Sequence, residues 1–519
     1  MTAVETPQSR CLVGVARCDI TPPVGIYHRM WGAATHDRST GVHRPLTATV
    51  LMLASCGWGP SPRGPQPVGL TDTGGGEDAD PSLTNQCDDD LRVVIAVDHC
   101  LLWTTEMNAL LNSVSHATGV PRSALTVFFS HTHAAGLMDL ERRDLPGGEM
   151  IGPYLDDLAR RFAELVHDAR GRLAPSTIVY GTGRCDLATN RDFFDETRGH
   201  PVCGFNPTGP ADDTVLVAKI TSDTGQTLAT LVNYACHPTT LAWENTLISP
   251  DYIGAMREVI ETATAAPCLF VQGASGDIGP REGFVGDVNI ADRNGRQLGY
   301  AALAAIESLS PPGHRFEYSG PVVSGATLGI WKHVPETAAR IASREVWAFQ
   351  SVVVPLPYRH DLPSRATLEQ ELAHWRSEEA TALANGETTA ARDAHAMIER
   401  ATRRLTRVAH LPPGDSYPYP IALWRCGGAI WIALDGEHYN VLQRTLRERF
   451  PGVPLVIGTL ANGSNVWYLP DEASYGKGLY QEEVSILQRG CLETVIDVAS
   501  DAIRRLVPDG SFIPPSSET

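Results

Sequence analysis

The sequence predicts an α/β layered fold, on two observations. Short apolar runs rich in β-branched residues alternate with longer amphipathic helical patterns along most of the chain. The chain also has 519 residues, 43% of them hydrophobic and 20% charged. That is an ordinary globular composition, long enough for a large buried core or for roughly two to four domains' worth of chain.

The elements follow in order. Two early strands are expected at Thr47–Ala54 and Leu91–Val97, both continuous apolar runs. Between them, residues 56–90 are rich in Gly, Pro and Asp. They read as a surface insertion, either disordered or a lid or partner contact. Further strands are expected at Leu125–Phe129, 228–234, 268–271 and Ala429–Leu434, with helices at 154–169, 253–263 and 291–309. Residues 367–405 are rich in Ala, Glu and Arg and read as amphipathic helices broken near Asn385-Gly386; the charge run holding Arg400, Arg403 and Arg404 reads as a solvated face. A pair of strands within 421–434, a helix over 437–450 and a last helix over 483–506 complete the pattern.

Charge and cysteines narrow the partners. The net charge is −18, and no long Lys/Arg block interrupts it. A surface of this sign repels phosphates and anionic headgroups, so no nucleic-acid partner is expected, and a neutral, cationic or amphiphilic small-molecule substrate suits it better. No run approaches the ~18 apolar residues of a membrane span, so no stable membrane insertion is expected. The 11 cysteines are scattered, odd in number and without a CxxC pair, which predicts reduced, buried thiols. With no secretory pattern at residues 1–14, the expected location is cytoplasmic. The oligomeric state is left open.

The chemistry is expected where apolar strands end in polar residues, because loops converge there over a rigid scaffold. Four such ends stand out. The first is Ser130-His131-Thr132-His133: on an extended chain residues two apart share a face, so both imidazoles would point into one cleft. The second is Cys236-His237-Pro238, where Cys236 reads as a buried thiol rather than a ligand. The third, Gly273-Ala274-Ser275-Gly276-Asp277, allows close backbone approach but lacks the spacing of a nucleophile elbow. The fourth is Asp435-Gly436-Glu437-His438, in which Glu437 is either a carboxylate ligand or an acid complementing a helix dipole. Two imidazoles and a carboxylate with one open position form a familiar catalytic zinc arrangement, suited to amide or ester hydrolysis.

Taken in order, several motifs resemble the neutral/alkaline ceramidase family of zinc amidases. They begin with Gly14-Val15-Ala16-Arg17-Cys18-Asp19-Ile20-Thr21-Pro22, Ser130-His131-Thr132-His133, Asn190-Arg191 and Asn233-Tyr234-Ala235-Cys236-His237-Pro238. They continue with Ser249-Pro250-Asp251-Tyr252, Gly273-Ala274-Ser275-Gly276-Asp277, Gly436-Glu437, Asn462-Gly463 leading to Tyr468-Leu469-Pro470, and Tyr480-Gln481-Glu482. The resemblance covers about residues 12 to 500. It implies mixed β-sheets flanked by helices, a single catalytic domain over residues 10–506 with a mainly helical cap at 334–412, and a tail at 507–519. It implies Zn2+ held by His131, His237, Glu437 and Tyr468. It also implies that His133 handles protons or binds the carbonyl, that Arg191 contacts substrate and that Tyr480 stabilises the oxyanion.

The sequence departs from the family in places. Gly279 stands where the ceramidases carry a serine, Asn190-Arg191 runs into Asp192-Phe193-Phe194 rather than small residues, and the chain ends too soon for the family's C-terminal immunoglobulin-like domain. The leading expectation is zinc-dependent hydrolysis of a linear amide, an N-acyl compound. The alternatives are an ester, lactone or sugar-derived substrate on the same metal site, a metal-free serine hydrolase using Ser275, and a non-catalytic binding protein.

Overall fold

Two mixed β-sheets pack face to face, and helices cover both outer sides. The computed structural model describes residues 3–57 and 90–507; most of the expected 56–90 insertion and nearly all of the tail lie outside the described residues.

The larger sheet has eight strands, in the order Cys268–Gln272, Thr227–Tyr234, Thr214–Ser222, Ala174–Arg184, Gln8–Asp19, Thr47–Ala54, Leu91–Val97 and Leu125–Phe129. Its inner pairs are antiparallel, while the strand at each edge runs parallel to its neighbour. The smaller sheet has four strands, Trp347–Pro357, Ser416–Cys426, Ala429–Leu434 and Leu455–Gly458, with the last pair parallel.

Alternation along each strand sorts its side chains between layers. Leu51, Val94, Phe128 and Leu231 of the large sheet meet Trp424, Trp431 and Val456 of the small one in a shared core. Val50, Ile95 and Val127 face the other way, onto helices Thr104–Thr118 and Ile151–Gly171. Val217 and Val232 face helices Tyr252–Thr264 and Val288–Glu307. The outer face of the small sheet packs on Val441–Arg449 and Cys491–Leu506. Burial on both faces explains why the strands read as unbroken apolar runs rather than alternating ones.

Polar ties lock the two sheets in register. Asn233 is fully buried; its amide donates to the Ile457 carbonyl at 2.8 Å and its oxygen accepts from the Ile457 N–H at 3.1 Å. Asn462, in the left-handed region at φ 57°, accepts from the Val127 N–H through its side chain at 2.8 Å and donates its own N–H to the Val127 carbonyl at 2.9 Å.

Several local expectations need correction. Glu437 does not open a helix: Glu437–His438 is a two-residue strand paired in parallel with Tyr468–Leu469, and the helix begins at Val441. The last helical region divides into Tyr480–Val484 and Cys491–Leu506. Within 334–412, helices Ala338–Arg344, Arg365–Asn385 and Thr388–Ala409 are interrupted by the strand Trp347–Pro357. The longer two form a hairpin whose turn is closed by Gly386 at φ 74°. That hairpin docks on two loops: Arg142, in the loop after Leu125–Phe129, pairs with Glu399 at 3.0 Å, and a Cβ on Gly32, in the loop before Thr47–Ala54, would lie 2.9 Å from Ala396 Cα.

Candidate metal centre and substrate cavity

The site lies where strand ends of both sheets converge. His131 follows the edge strand Leu125–Phe129, His237 follows Thr227–Tyr234, and Glu437 follows Ala429–Leu434 of the smaller sheet. The His131 and His133 rings do share one cleft, with centroids 4.9 Å apart. The route there is not the extended chain expected, because His131 sits at φ 68°, rare for a residue with a side chain. The chain therefore turns at His131, and its N–H is held by the His99 carbonyl at 2.9 Å.

Three ligand atoms come together. His131 Nε2 lies 3.0 Å from His237 Nε2 and 3.3 Å from Glu437 Oε2, and His237 Nε2 lies 3.6 Å from the same oxygen. The opposite ring nitrogens face backbone carbonyls: His131 Nδ1 is 2.8 Å from the Cys100 oxygen, and His237 Nδ1 is 3.1 Å from the Ser275 oxygen. A carbonyl only accepts, so both Nδ1 atoms carry hydrogen and both Nε2 lone pairs face the cluster. Glu437 Oε2 is buried without a hydrogen-bond partner. Three electron pairs so converged need a positive charge among them, either a proton or a metal cation. The protonic solution is visible in the electrostatics. Burial would lower His131, but Cys100 and Glu437 raise it well above the usual imidazole range. Burial would raise Glu437, but His131, Tyr468 and Arg191 hold it below the usual carboxylate range. The donor set fits a divalent cation equally well. A second grouping, Cys100 with His131 and His133, is close enough in space. It would require His131 Nδ1, which is committed to the Cys100 carbonyl.

Parallel pairing sets Tyr468 beside Glu437. The Tyr468 hydroxyl accepts from Arg191 at 3.0 Å, and Arg191 also donates to the Gly276 carbonyl at 2.7 Å. His133 borders the cluster with its Nε2 unpartnered. Burial, together with the nearby His131 and Arg191, holds His133 well below the ordinary histidine value, so it is neutral. Tyr480 opens its short helix with its ring 5.9 Å from Tyr468 and is 43% exposed, while Gln481 behind it ties to Asp192 at 2.7 Å. Ser275 is buried, and its hydroxyl accepts from Gln272 at 2.6 Å. Its part is to hold His237 through its carbonyl, and no histidine bonds to its hydroxyl among the described residues. Cys236 is buried outside the cluster, as expected of a structural thiol.

Above these residues opens a cavity of about 450 Å³. His133, His237, Arg191, Tyr468 and Tyr480 contribute to its floor and wall. One side is aromatic: Trp31 lies 5.2 Å from His133, 6.2 Å from Trp243 and 5.7 Å from Phe284, centroid to centroid. Arg400, Arg403, Arg404 and Arg407 of the hairpin line the cavity as well. The expected solvated face therefore faces the cavity, because docking of the hairpin covers it. Neither Arg407 nor the aromatic wall is evident from strand-end motifs. The spacing 400, 403, 404, 407 is the signal that could have shown it, since it lines up one helical face.

Comparison with known proteins bears on the frame of this site. No protein-family model and no curated protein matches the sequence. Among solved structures, the neutral ceramidase from Pseudomonas aeruginosa superposes with a TM-score of 0.58 at 14% identity, over 99% of this chain and 77% of that one. A structure described as a ceramidase complexed with C2 superposes with a TM-score of 0.59, at the same identity and coverage.

The chain has a ceramidase-like fold.

Within that ceramidase-like frame, the sequence departures take physical form. Gly279 lies beside Arg191 and Thr239, and a Cβ there would meet both at 3.7 Å, an ordinary contact. Phe193 and Phe194 lie on the hairpin Asp192–Asp195/His200–Cys203 and are 40% and 55% exposed. Among the described residues no helix is long and apolar enough to cross a membrane.

Proposed function

We propose that this protein is a zinc-dependent amidohydrolase acting on a linear N-acyl compound. The reading is carried by the convergence of His131 Nε2, His237 Nε2 and Glu437 Oε2 within 3.6 Å at the base of a cavity with an aromatic wall. His131, His237 and Glu437 would hold the ion, with Tyr468 as fourth ligand; burial pushes its phenol well up, and the Arg191 hydrogen bond offsets only part of that. When bound, zinc supplies Lewis acidity towards a carbonyl and a deprotonated water at neutral pH.

The chain's own residues do the rest. His133, neutral and with Nε2 free, accepts the proton released in the attack and returns it to the departing nitrogen. The Tyr480 hydroxyl stabilises the developing oxyanion, and Arg191 orients both Tyr468 and the substrate. The Trp31, Trp243 and Phe284 wall takes the acyl chain and keeps water from it.

The test combines metal analysis with a substrate panel. Purified protein is expected to carry about one zinc per chain, lost in His131→Ala and Glu437→Ala, and to hydrolyse N-acyl amides in a chelator-sensitive way. Full zinc retention in both variants would sink the metal site. Cleavage of esters or lactones but of no amide would move the substrate to the alternative class.

A further inference from the structure

The cavity wall carries more positive charge than the chemistry at its floor requires. Five arginines line it, Arg191, Arg400, Arg403, Arg404 and Arg407, against one carboxylate, Glu399. This is the reverse of the chain as a whole, which has 60 acidic and 42 basic residues.

The partners of each guanidinium decide what this means. Arg400 pairs with Glu483 at 2.6 Å and Arg404 with Glu371 at 3.2 Å, both at the partly exposed rim. Glu399 is engaged by Arg142 at 3.0 Å and lies farther from Arg403, at 3.6 Å. Arg407 is 6% exposed, and among the described residues no carboxylate pairs with it. Its contacts are the Val484 carbonyl and the face of Trp467, 3.4 Å from the ring centroid. Arg403 also donates to the Met30 carbonyl, while the Nε atoms of both Arg403 and Arg407 are buried without a hydrogen-bond partner. A buried guanidinium is stable when paired with an anion and hydrogen-bonded; Arg403 shares Glu399 with Arg142, and Arg407 has a carbonyl but no carboxylate among the described residues. The planar fork of arginine matches an oxyacid bidentately. Trp31, Trp243 and Phe284 in the same cavity supply an apolar surface for the rest of the same ligand.

We propose that Arg403 and Arg407 form a subsite for an oxyacid anion, so that the substrate is an acidic N-acyl amphiphile with a carboxylate or phosphate on one side of the amide and an apolar chain on the other. The hydrolytic half of this rests on the function proposed above; the anion subsite does not. The net charge of the chain pointed to a neutral, cationic or amphiphilic substrate; an amphiphile remains, and local placement of the arginines overrides the average only in the sign of its charge.

The experiment measures binding by calorimetry on full-length, chelator-treated protein, so that the anion is read without a competing metal. The probes are N-lauroylglycine, N-lauroyl phosphoethanolamine and neutral N-lauroylethanolamine. At least one acidic probe is expected to bind about tenfold or more tightly than the neutral one, the effect of one or two charge-assisted hydrogen bonds. The preference should collapse in Arg407→Gln and Arg403→Gln, survive in His131→Ala and partly return in Arg407→Lys. The stronger of the two acidic arms identifies the oxyacid. If Arg407→Gln does not fold, as judged by near-UV circular dichroism, Arg403→Gln carries the test. Equal binding of all three probes by the wild type, or a preference unchanged in the glutamine variants, overturns the subsite. Anion preference without cleavage of any amide would refute the hydrolase and leave the subsite standing. Cleavage of neutral amides without anion preference would do the reverse.

Discussion

The Nε2 atoms of His131 and His237 lie 3.0 Å apart, while the Nδ1 of each ring faces a backbone carbonyl. Two lone pairs held this close, with Glu437 Oε2 beside them, repel unless a positive charge sits between. A cation that binds the folded state alone must therefore stabilise it. Adding zinc to chelator-treated protein is expected to raise its melting temperature, by about 2.7 kcal/mol in stability at a hundredfold excess over Kd. Scanning calorimetry checks this, and an equal rise in His237→Ala would refute it.

Two glycines near the site are expected to respond differently. A Cβ on Gly276 would lie 2.6 Å from the Glu437 carbonyl oxygen, and its N–H bonds the His438 carbonyl at 2.7 Å. Gly276→Ala is expected to displace Glu437 and cost about 1–3 kcal/mol, together with zinc content. Gly279→Ser, whose Cβ would meet nothing nearer than 3.7 Å, is expected to fold and to cost less than Gly276→Ala. Urea titration of the two variants side by side tests the contrast.

Asn233 joins the sheets through its hydrogen bonds to Ile457. Asn233→Ala removes the partner of the buried Ile457 N–H and of the Ile457 and Val271 carbonyls and opens a small cavity. The expected loss is about 3 kcal/mol, with weakened zinc binding because the strands carrying His237 and Glu437 lose their common register. An unchanged urea midpoint would remove Asn233 from this role.

His28 supplies a pH prediction away from the proposed metal ligands. It is buried, its Nε2 lies 3.1 Å from the Ala134 carbonyl and its Nδ1 3.1 Å from His36, and burial brings it down to about 4. A folded value below the unfolded one of about 6.5 means that the neutral form is favoured. Its stabilising contribution is present above pH 6.5 and is lost as pH falls through 4, on the order of 3 kcal/mol. Asp251, which burial raises to about 6, acts in the opposite sense, its contribution fading as pH rises. The difference in stability between wild type and His28→Gln isolates the histidine. That difference should shrink from pH 6.5 to pH 4, and a flat difference would contradict the assignment.

Much of the frame was legible along the chain. Thr47–Ala54, Leu91–Val97, Leu125–Phe129 and Ala429–Leu434 are strands with the expected bounds, since a strand buried on both faces is a short apolar run with abrupt polar ends. Those same ends carry His131, His237 and Glu437, so the sharp change in polarity marked the cluster before its geometry was known. Strands such as Gln8–Asp19 and Ala174–Arg184 were not evident, because Gly, Ser, Arg and Pro interrupt their apolar residues. The Glu437–His438 strand was hidden for a different reason: two residues carry no periodicity, and only pairing with Tyr468–Leu469 makes them a strand.

The α/β layering and the polar strand ends that carry His131, His237 and Glu437 follow from local patterns of apolar and polar residues, and those patterns belong to the chain alone. The left-handed turn at His131, the placement of Tyr468 beside Glu437 and the inward face of Arg403 and Arg407 do not. Each depends on which distant segment packs against it. An arginine face on a helix looks the same in the sequence whether it meets water or an aromatic cavity, and the docking of the 365–409 hairpin over the strand ends settles the matter.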